Sequence, residues 1–164
     1  MVSSRKKLPF REKCEVFLLH GNNQVVAQDR GHYIMFPGGG VDRGENPKTT
    51  ARRETLEETG AIIDGPLKYM VTVDFVWHPQ WADNPKRKER YSKYQGERVH
   101  IFIGKTKSLG DPTSGEGDEW KGRKTISIQK CIELSHNYGS SDHPNTYAYR
   151  IAQLSALQSI KLLR

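Results

Sequence analysis

The stretch from Gly38 to Gly60 leaves the chain little conformational choice. Gly38, Gly39 and Gly40 in succession read as a loop, because glycine gives up more backbone freedom on ordering than any other residue. Asn46 then reads as a helix N-cap, with Pro47 at the first helical position and Gly60 as the stop. On that helix Glu54, Glu57 and Glu58 share one face, within roughly a 100° arc at about 3.6 residues per turn. Glu54 meets like charges three and four residues on, and each such pair costs about 0.2–0.5 kcal/mol when nothing neutralises it. A helix selected for stability alone would carry lysines there. Arg53 can partner Glu57, but one arginine does not balance three carboxylates.

Three carboxylates on one face beside a glycine loop suit a hard cation, since magnesium and manganese prefer oxygen ligands. The glycines let backbone approach a metal or a phosphate where a Cβ would obstruct it. A solvated acidic face is the commoner fate of such a charge run, and the helix alone does not separate the two. The spacing does. It runs Gly39, five residues, Glu45, seven residues, Arg53-Glu54, two residues, Glu57-Glu58, one residue, Gly60. That series, Gly39 to Ala61, resembles the Nudix box at every fixed position. Seven specified residues at roughly 7% usage each arise by chance on the order of once in a million sequences. Phe36-Pro37-Gly38 also resembles the family's approach to its box. Thr55 departs from the pattern: it stands where the family has an apolar residue, keeping a methyl but adding a hydroxyl that should weaken packing slightly.

The resemblance implies an α+β fold, an α/β/α sandwich with a mixed β-sheet, and a box shaped as loop–helix–loop. It implies metal-dependent hydrolysis of the pyrophosphate linkage in a nucleoside diphosphate joined to another group. The leading case is a nucleoside triphosphate cut to monophosphate and pyrophosphate. Glu54, Glu57 and Glu58 become ligands of Mg2+ or Mn2+, with the Gly38 carbonyl near the metal and Gly39 and Gly40 against the substrate. Arg53 would orient a box glutamate, and Glu45 would brace the loop or meet a second cation. Two alternatives stand beside this. One is removal of pyrophosphate from a capped or triphosphorylated RNA 5′ end, which the net charge of +7 favours. The other is a catalytically silent Nudix module that binds nucleotide or RNA, against which the complete set of box carboxylates speaks.

Outside the box, Glu116 in Ser114-Gly115-Glu116-Gly117 resembles the downstream glutamate loop of the oxidised-nucleotide-sanitising branch, which makes it a candidate base or ligand. Asp118 and Glu119 are its rivals, and a solvated loop acid is the plain reading. Phe36 stands where that branch places an aromatic near the base, although an aromatic ending a strand is more often core. Asp142 stands where the branch reads the base, and equally reads as a helix cap. The basic run Lys86–Lys93, with Trp81, Tyr91 and Tyr94 interleaved, reads as loop or extended hairpin over 79–97. It would bind RNA phosphates and stack on bases, or be solvated surface.

The rest of the chain fixes size and compartment. At 164 residues it reads as a single domain, 1–164, whose basic arm over residues 1–12 is expected to be loosely ordered. Strands are expected at Cys14–His20, Gln24–Gln28, Leu67–Trp77 and Val99–Gly104, with a short one at Ile126–Ile128. A short helix is expected at Gln129–Leu134. A last helix from Pro144 to about Leu163 would bury Tyr147, Ile151, Leu154, Leu157 and Ile160. The uncharged apolar run Val16–Leu19 is far short of a membrane span or a secretory core. Two cysteines in segments that read as buried argue for reduced thiols and a cytoplasmic setting.

Overall fold

Strand β1 (Phe10–His20) organises the molecule, because every residue from Cys14 to Leu19 is buried. Successive side chains of a strand point to opposite faces, so a run buried at every position needs cover on both sides. Cys14, Val16 and Leu18 join one core with Ala51, Leu67, Phe102 and Trp120. Phe17 and Leu19 join the other with Ile128, Cys131, Tyr149, Leu157 and Ile160. Helix α2 (Pro47–Thr59) covers the first face, and α4 (Ile128–Tyr138) and α5 (Tyr147–Leu162) cover the second. The computed structural model describes residues 2–110, 120, 124–138 and 144–162.

The sheet is mixed, as expected. Among the described residues its order is β6 (Ile62–Val76), β7 (Gly96–Ser108), β1, β2 (Gln24–Val26), β8 (Thr125–Ser127). β1 and β7 run parallel from Phe10↔Gly96 to His20↔Thr106, and the other pairings are antiparallel. β3 (Gln28–Asp29) and β4 (Ile34–Met35) form a separate small ladder. The glycine triplet is not a loop: it is strand β5 (Gly38–Gly40), paired with β1 at Cys14↔Gly39.

Three further expectations change. Residues 79–97 form neither loop nor hairpin but a 3-10 turn, Pro79–Trp81, and a helix α3 (Pro85–Lys93). Asn84 caps α3 by accepting from the Arg87 N–H at 2.9 Å, Pro85 fills the first turn, and Asp83–Arg87 and Glu89–Lys93 pair four residues apart. The basic arm is engaged from Arg5 onward. Helix α1 (Val2–Arg5) ends there, the Gln95 amide donates to the carbonyls of Lys6 and Leu8, and β1 starts at Phe10. Finally, α5 buries Tyr149, Gln153, Ala156, Leu157 and Ile160, while Tyr147 and Ile151 are exposed. The buried Glu15 carboxylate turns the helix, because it accepts from the Tyr149 hydroxyl and the Gln153 amide.

Candidate active site

Helix α2 starts and stops where its sequence dictates. The Asn46 side chain accepts from the Thr49 N–H at 2.9 Å, and Gly60 closes the helix in the left-handed region at φ 68°. Its buried face is made of Thr50, Ala51, Thr55 and Thr59, residues small enough to let the helix lie close to β1 and β5. Its other face carries the acids. Arg53 is their hub: Nε and Nη2 donate to Glu45 at 2.9 and 3.0 Å, and Nη2 also to Asp42 at 3.2 Å. Nη1 donates to Glu54 at 3.1 Å and to Glu57 at 3.2 Å. Thr50 adds a 2.7 Å bond to Glu45, and the Arg53 and Thr50 donors hold that carboxyl down at about 2.

Glu54 and Glu58 lie deeper. Burial first, then the neighbouring Glu57 charge, raises the Glu54 carboxyl against the opposing pull of Arg53. Burial pushes Glu58 up to about 8, and the Glu54 charge adds to it. The Gly38 backbone N–H and the indole of buried Trp120 lie close enough to oppose that rise. The glycines of β5 make this approach feasible. A Cβ on Gly39 would stand 2.6 Å from a Glu54 carboxylate oxygen, one on Gly40 2.3 Å from the Arg11 guanidinium, and one on Gly38 2.2 Å from the Cys14 carbonyl oxygen.

The acids Glu54 and Glu58 line a cleft of about 870 Å³ together with Gly38, Gly39 and Gly40. All the box donors there are oxygens, the choice of a hard cation, and two carboxyls raised by burial mark a place short of positive charge. As the side chains stand, no three His, Cys, Asp or Glu groups among the described residues gather tightly enough to hold a metal ion. Glu54 and Glu57 are both held on the Arg53 guanidinium instead.

A second cavity of about 460 Å³ adjoins the cleft and shares Lys13, Met35, Phe36 and Glu97 with it. Its walls include Phe75, Trp77, Trp81 and Tyr149, with Trp77 and Trp81 stacked at 3.8 Å. Phe36 is buried edge-on against Phe17 in the core and also lines both cavities. The basic run divides by face. Arg90 lines the cleft and Arg87 the aromatic cavity, while Lys86, Lys88 and Lys93 are exposed. Glu116, its rivals Asp118 and Glu119, and Asp142 lie outside the described residues. Sequence reasoning missed Arg11, Glu97 and Trp120. Only Trp120 left a signal: a buried indole N–H needs an acceptor, and an acidic box supplies one.

A family model described as the NUDIX domain matches residues 9–147. The chain belongs to the NUDIX family. An RNA pyrophosphohydrolase of Roseobacter denitrificans is 41% identical over 77 residues, which is 44% of this chain and 47% of that protein. An ADP-ribose pyrophosphatase of Bacillus subtilis is 28% identical over 130 residues, 78% of this chain and 62% of that one. The chain spans about half the length of the first curated relatives it matches, 47%, 47% and 40%. A crystal structure of a NUDIX family hydrolase from Clostridium perfringens superposes with a TM-score of 0.55 at 16% identity. It covers 96% of this chain and all of that one, which fixes the fold.

Proposed function

We propose that the protein hydrolyses the pyrophosphate linkage of a nucleoside diphosphate derivative, foremost a nucleoside triphosphate to monophosphate and pyrophosphate. The observation that carries this is the glutamate face of α2 set against the glycine strand in one cleft. Glu54, Glu57 and Glu58 would hold Mg2+ or Mn2+, with the Gly38 carbonyl beside them. When bound, such an ion polarises phosphate oxygens and acidifies water. In its ionised form Glu58, whose burial raises its affinity for a proton, would accept one from the attacking water as the phosphorus–oxygen anhydride bond breaks. Glu116 is a second candidate for that role. Arg53 holds Glu54 and Glu57 in register, and Gly39 and Gly40 let phosphate come against backbone. Phe36 and Asp142 are proposed to meet the base.

A second reading, hydrolysis at a triphosphorylated RNA 5′ end, is supported by the names of several relatives and by the arginines of α3. Two buried thiols, both pushed up to about 12 by burial, agree with a reducing compartment such as the cytoplasm. Among the described residues no helix is long and apolar enough to cross a membrane. The test is a panel of nucleotide derivatives plus a 5′-triphosphorylated oligonucleotide, each with magnesium and with manganese, read by product chromatography. Monophosphate and pyrophosphate from a nucleoside triphosphate are expected. No product from any substrate with either metal overturns the enzyme reading.

A further inference from the structure

Strand β5 separates two kinds of charge. Gly39 faces Glu54 and Gly40 faces Arg11, on opposite sides of the sheet edge, because neighbouring strand residues point opposite ways. Arg11 and Lys13 therefore share the face of β1 that leads to the aromatic cavity, and both line the cleft. Helix α3 closes this side. Its less exposed positions are Arg87, Arg90 and Tyr91, with Tyr94 just beyond its end, the spacing of one helix face. Arg90 and Tyr94 line the cleft beside Arg11.

Among the described residues the two arginines are not equally paired. Arg11 pairs with the buried Glu97 at 3.1 Å, while Glu97 and Glu89 act on Arg90 only through space. Arg90 is pulled below its ordinary value first by burial and next by the Arg11 charge, with Glu97 opposing less. A partly buried Arg90 that makes no ion pair among the described residues, beside Arg11 and between an acidic face and an aromatic cavity, calls for an anion lying between the two guanidiniums.

We propose that Arg11 and Arg90 form a phosphate-binding site, distinct from the glutamate face, that grips the polyphosphate of a ligand spanning the cleft and the aromatic cavity. Arg5 is its positioning residue. The Arg5 guanidinium lies 3.3 Å from the Tyr91 ring centre and donates to the carbonyls of Tyr91 and Tyr94, so a cation caps the end of α3 and fixes where Arg90 points. The assignment of the ligand as a substrate rests on the pyrophosphohydrolase reading; the anion site does not.

Sodium tripolyphosphate titrated calorimetrically into metal-free protein in EDTA tests this. Arg90→Gln should weaken binding roughly 10- to 100-fold, the worth of charge-assisted hydrogen bonds. Removing Arg11 outright strands the buried Glu97, so Arg11→Lys is used; it keeps the charge, loses the fork and should weaken binding less. Lys88→Gln deletes the same charge from the outer face of α3 and should change affinity by no more than about twofold, as a screened surface charge does. Arg5→Ala should weaken binding while speeding hydrogen exchange across 85–93, and in turnover should raise KM with kcat unchanged. Equal losses in Lys88→Gln and Arg90→Gln, or no binding without metal, overturn the site. A wild-type protein that binds tripolyphosphate in EDTA but turns over nothing with metal overturns the enzyme reading instead.

Discussion

Helices α2 and α3 begin with the same two residues. Asn46-Pro47 and Asn84-Pro85 each place an asparagine cap 2.9 Å from the backbone N–H three residues on. From there they diverge. α2 buries four small residues and turns acids toward the cleft, so the sheet holds it whatever its charges do. α3 buries none of its residues fully and is fastened from outside by Arg5. The same start signal produces a rigid helix where the next turns are small and a clamped lid of arginines where they are basic. The first arrangement suits chemistry and the second suits grip.

That contrast is broken most directly through kinetics. Glu58→Gln or Glu57→Gln keeps the shape of α2 and removes charge, so kcat should fall by at least roughly 100-fold, within the range known for a positioned proton acceptor. The metal-free Glu58→Gln fold should be at least as stable above pH 8, where the native carboxyl carries a buried charge beside Glu54. Arg90→Gln on α3 should instead raise KM with kcat nearly intact. Full activity of Glu58→Gln at saturating magnesium would remove α2 from the chemistry, and a kcat loss in Arg90→Gln would erase the division between the helices.

Within α2 the acids themselves differ, and pH separates them. Glu58, held up to about 8 against an ordinary 4.5, is protonated at neutral pH in the metal-free protein. An acid raised on folding favours the fold below its unfolded value and loses that contribution as pH climbs through about 8. A ligand must be ionised to bind, so magnesium affinity should rise between pH 6 and 8, by up to about tenfold per unit. Glu45, held at about 2 by Arg53 and Thr50, behaves oppositely. Its contribution is present above 4.5 and is lost only as pH falls toward 2. Calorimetric magnesium titrations at pH 6, 7 and 8 check the first point; a flat affinity would mean that Glu58 is not a ligand.

What the sequence disclosed follows the same line. The box helix was legible to the residue, Asn46 to Gly60, because cap, stop and acid spacing all agreed. The sandwich was legible through the box's resemblance, and Cys14–Leu19, apolar but for Glu15, agrees with a strand covered on both faces. α3 was not, although Asn84-Pro85 announced it: its inward face reads Arg, Arg, Tyr, since it borders cavities and touches the core only through Tyr91, and apolar periodicity is blind to that. The register of α5 was hidden for a related reason. Glu15 on β1 chooses Tyr149 and Gln153 over the more apolar Ile151, a contact across 134 residues that no local pattern records. The glycine strand was misread because glycine propensity argues for a loop, whereas close approach by Glu54, Arg11 and the Cys14 carbonyl demands glycine in extended backbone.

A smaller effect probes how tightly α2 is seated. Thr55 is fully buried, and among the described residues its Oγ1 finds no hydrogen-bond partner. A buried unsatisfied hydroxyl costs about 1–3 kcal/mol, while valine keeps nearly the same shape. Thr55→Val should raise stability by about 1 kcal/mol in urea unfolding with activity unchanged. A loss of stability would mean that the hydroxyl has a partner in solution.

The least disruptive test returns to the shared start signal. Asn46→Ala and Asn84→Ala each delete one cap bond, a change worth about 0.5–2 kcal/mol at an ordinary helix. The two should register in different places. α2 is part of the cooperative core, so its loss is shared by the whole fold and should lower Tm by about 2–4 °C per kcal/mol. α3 is nine residues long with no fully buried side chain, so it can open without the sheet opening. Asn84→Ala should therefore leave Tm nearly unchanged, speed amide exchange across 85–93, and raise KM through the displaced Arg90. A Tm loss in Asn84→Ala equal to that in Asn46→Ala would show that α3 unfolds only with the sheet. Arg5 would then be one fastening among several.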